Sequence, residues 1–131
     1  MNEEDEKKTK HLEMLQAVIS RLASNSFTIK GWGTTLVAAL LAYIAKDGKP
    51  QNAWIVLMPT VVFWGLDAYY LGLERAFRDL YKQVSGQSHT DFSMVPPAGK
   101  AYFSEALFRP AVWPLYLMLI IITLVVCLCV Q

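Results

Sequence analysis

The sequence predicts an all-α integral membrane protein: three transmembrane helices, and an N-terminal amphipathic helix that packs on an extension of the second span. Three observations carry this. Apolar residues make up 54% of the 131 and charged residues only 18%, against about 25% charged in soluble domains. A chain this short buries too small a fraction of its surface to hide that much apolar area in a water-soluble core. The charges are also segregated: most lie in residues 2–30 and 74–109, and the stretches between and after them are nearly uncharged. Alternating water and lipid surroundings explain such a pattern. The whole of 1–131 is read as one membrane domain.

Residues 5–24 have the spacing of an amphipathic helix. Leu12, Leu15, Ile19 and Leu22 recur every three or four positions, with Glu13, Gln16, Ser20 and Arg21 opposite. The acidic start at Glu3, Glu4, Asp5 and Glu6 suits the positive end of a helix dipole and is unlike the basic start of a cleaved signal peptide. Two placements fit this helix: packed on other parts of the protein, or lying in the membrane interface. Ser24-Asn25-Ser26 is expected to loosen or bend the chain.

The first span is expected over 27–45. A span needs about 20 apolar residues, so this one reaches full length only with Lys30 included. Gly48 and Pro50 mark residues 46–52 as a turn. The second span, 53–73, has Trp54 and Tyr69-Tyr70 where interfacial aromatics belong, and Pro59 within it. It passes without a breaker into a helix reaching residue 84, where Glu74/Arg78 and Arg75/Asp79 are opposite charges at i,i+4. Leu73, Phe77, Leu80 and Val84 form an apolar stripe there that matches the one at 12–22. A loop follows over 85–111, containing a short interfacial helix from Lys100 to Phe108, and then an uncharged third span at 112–130.

Orientation follows from Lys and Arg. The N-terminal segment holds Lys7, Lys8, Lys10, Arg21 and Lys30, and the second loop holds Arg75, Arg78, Lys82, Lys100 and Arg109. The first loop holds only Lys46 and Lys49, and no basic residue follows the third span. The positive-inside rule then puts the N-terminus in the cytoplasm and the C-terminus outside.

Asp67 stands about 14 residues, or about 21 Å, below the outer end of its span. A charge at that depth needs a partner. The same count down the first span from Ala45 reaches Gly31, beside Lys30, so Lys30 and Asp67 are expected to pair, within one chain or between chains. Such a pair either fixes helix register or marks a polar point on an ion path or gate. No second carboxylate or nucleophile shares that depth, so no catalytic residue is expected and the protein is not read as an enzyme. No Cys/His cluster has metal-ligand spacing and no cofactor is expected. Cys127 and Cys129, two apart, point in different directions on a helix. His11 and His89 are expected at the surface. A net charge of +1 gives no reason to invoke nucleic acid.

Asp67-Ala68-Tyr69-Tyr70-Leu71, followed by Glu74-Arg75, Phe77-Arg78 and Leu80-Tyr81, resembles a group of small, uncharacterised bacterial multi-pass membrane proteins. Residues 21–27 and Lys30-Gly31-Trp32 belong to the same resemblance, which covers roughly 10–85. The group is similar in outline to the two-span helical effectors of bacterial nucleotide-signalling and antiphage systems, and the third span departs from that plan. The resemblance implies a bacterial inner-membrane location. Together with the intramembrane charge pair, the rigid helix crossing the inner leaflet and a cytoplasmic surface too small to sense much unaided, it leads to the expectation of an oligomeric membrane effector or channel-like protein in the bilayer. Control by a cytoplasmic partner is expected, and antiphage defence is one setting that the resemblance suggests. The alternative is a non-conducting anchor or scaffold that docks a soluble protein on its cytoplasmic helices.

Overall fold

The structure, a computed structural model, describes residues 2–97 and 102–130. It is all-helical among the described residues, and three of its helices are long and apolar enough to cross a membrane. Helix α1 runs over Glu3–Asp47, 45 residues without interruption, or about 68 Å at 1.5 Å per residue. Gly48 ends it in the left-handed conformation (φ 69°), its N–H bonded to the Ile44 carbonyl. Only glycine adopts that conformation at little cost, and an α1 that continued would carry the chain away from α2. A 3₁₀ turn, Pro50–Ala53, leads into α2, Trp54–Gly86. After a loop come the six-residue α3, Tyr102–Leu107, and α4, Trp113–Val130.

The expected bend at Ser24-Asn25-Ser26 does not occur, and the separate amphipathic helix 5–24 and span 27–45 are one rod. None of the three residues is a breaker, and polar side chains in α1 bond back to their own helix. Thr9 donates to the Asp5 carbonyl, Thr28 to Ser24 and Thr35 to Gly31. The buried stripe of α1 also continues across the site, from His11, Leu15, Ile19 and Leu22 through Ser26 to Gly33, Val37 and Ile44.

Helices α1 and α2 lie antiparallel along nearly their whole length, so the hairpin has two regions. In the region nearest the 48–53 turn, Val37, Leu41 and Ile44 bury against Val56, Ala68, Tyr116 and Leu119. In the region beyond, here called the stem, Leu15, Leu80 and Val84 form a second buried cluster with Leu12, Phe77, Tyr81 and Met94 packed on it. Ile19 and Leu22 are buried in the same stem. Helix α4 packs on both long helices, and its last turn comes level with Gly48, beside Val130. It buries only Tyr116, Leu119, Thr123 and Cys127, one face at helical spacing. Met118, Ile121, Val125 and Leu128 remain exposed on its outer side. An exposed apolar face of this extent suits lipid rather than water.

Helix α3 lies on α2 rather than apart from the protein. Ala106 is fully buried, and the Trp64 indole N–H donates to the Leu107 carbonyl at 3.0 Å. Of the aromatic residues on this helix and just after it, Phe103 and Phe108 are exposed, whereas Tyr102 turns onto α2. Lys100, the expected first residue of this helix, lies outside the described residues.

His11 corrects a second expectation. It is fully buried, not at the surface, because the loop after α2 folds back over α1. Its Nδ1 meets the Thr90 hydroxyl at 2.5 Å, its Nε2–H donates to the Ser93 carbonyl at 2.8 Å, and Phe92 lies 5.5 Å from the ring centroid. Phe92 has a φ of 55°, a conformation that costs a bulky residue about 1–3 kcal/mol unless its surroundings hold it there. Replacing His11→Ala removes two of those holding bonds. The expected result is faster amide exchange across 87–97, by about 1–3 kcal/mol of lost protection, with residues 54–70 unchanged. His89, by contrast, is exposed, with its Nδ1 3.1 Å from Glu4.

Candidate functional site

The two charged residues inside the membrane-length stretches, Lys30 and Asp67, meet at one point. Asp67 of α2 has no exposed surface. Lys30 of α1 reaches it with its ammonium 2.7 Å from Oδ2 and 2.8 Å from Oδ1. The pair expected from depth counting therefore forms within a single chain. The count succeeds because both helices rise by the same amount per residue from a shared turn.

Two further members were not anticipated. Ser26 donates its hydroxyl hydrogen to Asp67 Oδ1 and accepts from Lys30 at 3.0 Å. It lies one turn before Lys30, so it shares that face of α1, and the i,i+4 spacing could have revealed it. Tyr116 of α4 is buried with its hydroxyl facing the Asp67 carboxylate and without a hydrogen bond of ordinary geometry. Its ring stacks on Trp64, centroids 6.5 Å apart and planes 10° off parallel. The polar cluster thus takes one residue or more from each of the three long helices. Nothing in the sequence signals which residue of α4 would face the pair.

Burial makes this arrangement consequential. An unpaired ion in a low-dielectric site costs several kcal/mol, and only close, multiple contacts offset that. Asp67 accepts two hydrogen bonds at Oδ1, from Ser26 and Lys30. Its Oδ2 makes no hydrogen bond among the described residues and is met only by the charge of the Lys30 ammonium. Lys30, at 26% side-chain exposure, keeps part of its length at the surface. The site can hold three helices in register, and it can change state only if the carboxylate gains a proton or loses Lys30. Close packing of α1 on α2 supports it. A Cβ added at Gly33 would stand 3.0 Å from Phe63 Cγ, one turn from the cluster.

The other anticipated residues fall in the stem. Glu74 is buried and binds Arg78 through Nη2 at 2.8 Å and Nε at 2.9 Å. Asp79 accepts the Tyr102 hydroxyl hydrogen at 2.7 Å rather than acting only within its own helix. That bond to a carboxylate holds the Tyr102 phenol above its ordinary range. Of the expected seam residues, Leu15, Leu80 and Val84 share one buried cluster with Leu12 and Phe77 packed on it, and Ile19 and Leu22 are buried on α1. Gly72 allows α3 to lie close: a Cβ there would meet the Tyr102 backbone at 3.2 Å. Among the described residues no group of three His, Cys, Asp or Glu side chains could hold a metal ion. Both cysteines are free, Cys127 buried and Cys129 exposed.

Compared with known proteins, the chain matches no family model, no curated protein and no solved structure.

Proposed function

We propose that this protein is an oligomeric membrane effector, channel-like in action, set by a partner that engages its cytoplasmic stem in a bacterial inner membrane. One observation carries the reading: α1 and α2 each run unbroken from the stem through the level of Ser26, Lys30 and Asp67. A helix transmits a displacement along its axis because its hydrogen bonds are local and stiff, so a protein bound to the stem is mechanically coupled to the buried charge pair. In this reading the amphipathic segment at 5–24, packed on the extension of the second span, is the receiving surface. Arg75, Arg78 and Asp79 supply its charged side, and Glu74, expected there too, is instead buried against Arg78. A second copy would approach α1 on the open face around Gly31, where nothing lies within 4 Å of an added Cβ and Phe27, Thr28, Trp32 and Thr35 line a groove. Small residues in such a groove permit close helix contact in lipid.

A second reading, a non-conducting anchor that docks a soluble protein, is favoured by the closure of the Lys30–Asp67 pair within one chain, which leaves Asp67 with no exposed surface. Native mass in a mild detergent and a potential-sensitive dye in expressing cells separate the two. The effector reading expects a mass well above one copy and a fall in membrane potential. The anchor reading expects an intact potential and co-purification of a soluble neighbour-encoded protein. A strict monomer with neither property removes both.

A further inference from the structure

Beneath the base of α3, between it and the stem portion of α2, lies a cleft of about 400 Å³. Its walls carry four cations, Arg75, Arg78, Lys82 and Arg109, against Glu74, Asp79 and Glu105. These charges are not equivalent. Glu74 is taken up by Arg78, and Asp79 accepts from Tyr102. Arg75 and Arg109 are both partly buried, and neither makes a side-chain hydrogen bond or ion pair among the described residues. They come from different elements, Arg75 from α2 and Arg109 from the joint between α3 and α4, and they converge on one cavity.

A partly desolvated guanidinium without an acceptor is unfavourable, and two of them facing one cleft repel. A dianionic or monoanionic phosphate relieves both conditions, because its oxygens match the planar fork of arginine donors. The cleft also has an apolar lip, formed by Leu71 and Ala111. Both lie at the boundary where apolar spans give way to charged sequence: α2 becomes charged at Glu74, and the uncharged α4 begins at Trp113. We propose that this cleft binds a phosphate-bearing group, with Arg75 and Arg109 as its principal donors. The inference needs only that these helices sit in a bilayer, and it stands or falls separately from the effector and anchor readings. The phosphate has two sources, the headgroup of an anionic phospholipid and a soluble phosphate.

The test uses the full chain reconstituted in nanodiscs of equal parts phosphatidylglycerol and phosphatidylcholine, then released for native mass spectrometry. The lipid source predicts retention of phosphatidylglycerol over phosphatidylcholine by roughly tenfold or more, since each basic side chain near anionic lipid contributes enough for a several-fold preference. The preference should vanish in Arg75→Gln/Arg109→Gln, persist in part in Arg75→Lys/Arg109→Lys, and be untouched in Lys46→Gln/Lys49→Gln at the opposite end. The soluble source predicts instead that millimolar inorganic phosphate raises the melting temperature in phosphatidylcholine discs and does so only with the arginines present. Equal retention of the two lipids together with no response to phosphate overturns the proposal. So does a phosphatidylglycerol preference that survives Arg75→Gln/Arg109→Gln. Because the wild-type lipid competition needs no variant, a poorly folded glutamine double variant still leaves the proposal open to refutation.

Discussion

Lys30→Ala is expected to destabilise the protein by about 3–5 kcal/mol, the usual result of stripping one partner from a buried ion pair. The physical reason is asymmetry of burial. Asp67 has no exposed surface, so its carboxylate, left with Ser26 alone, must either remain charged in a low-dielectric site or take up a proton. Asp67→Ala should cost less. Lys30 is partly exposed and has a long apolar stem, and it can carry its ammonium toward the headgroups once released. The double change Lys30→Met/Asp67→Leu removes both charges and fills similar volume, and it should recover most of the stability lost in either single variant. Denaturation in mixed micelles, followed by helix content, gives all three values. A double variant as unstable as Lys30→Ala would show that the pair matters through shape rather than charge. The same set carries a functional consequence. If the pair is the element that responds to the stem, the charge-free double variant should fold and insert yet no longer change membrane potential.

Two glycines only two positions apart should respond to alanine in opposite directions. At Gly31 an added Cβ meets nothing within 4 Å. Gly31→Ala therefore gains helix propensity of about 0.8–1 kcal/mol with no steric cost in the monomer. At Gly33 the same atom would stand 3.0 Å from Phe63 Cγ and 3.2 Å from its Cβ. Overpacking of this kind costs about 1–3 kcal/mol, so the propensity gain is cancelled or reversed at Gly33→Ala, and Gly33→Leu should prevent the helices from closing. Phe63→Ala in the Gly33→Leu background makes room and should restore part of the loss. Equal stability of the two alanine variants would contradict the close approach of α1 and α2 at Phe63. An oligomer that breaks up on Gly31→Leu while its monomer stays folded would place the subunit contact on the Gly31 face.

These glycines show where sequence reasoning stops. Their residue type announces that a close approach or an open face is available, but not which of the two holds at each position. Ser26 is a similar case. As one of three polar residues at 24–26 it suggests a break in the helix, because serine and asparagine prefer turns when nothing else engages them. In the folded chain its hydroxyl donates to a buried carboxylate, and that contact outweighs the local preference. His11 looks like an ordinary surface residue until the loop after α2 returns over it, a contact between positions 79 residues apart. No local pattern encodes a pairing at that separation.

The sequence alone determined the helical class, the three membrane-length apolar stretches, the chain reversal at Gly48 and Pro50 (though not that α1 runs on to Asp47) and the depth match of Lys30 with Asp67. Each of these depends on local or additive quantities: hydropathy summed along a segment, glycine and proline at a turn, and a fixed rise per residue. Only the tertiary structure decided that α1 is one unbroken rod, that Ser26 and Tyr116 join the ion pair, that α3 folds onto α2 through Gly72, and that Arg75 and Arg109 share a cleft. Those features arise where side chains distant in sequence meet. The free energy of such a meeting depends on the geometry of both partners, which neither segment carries by itself.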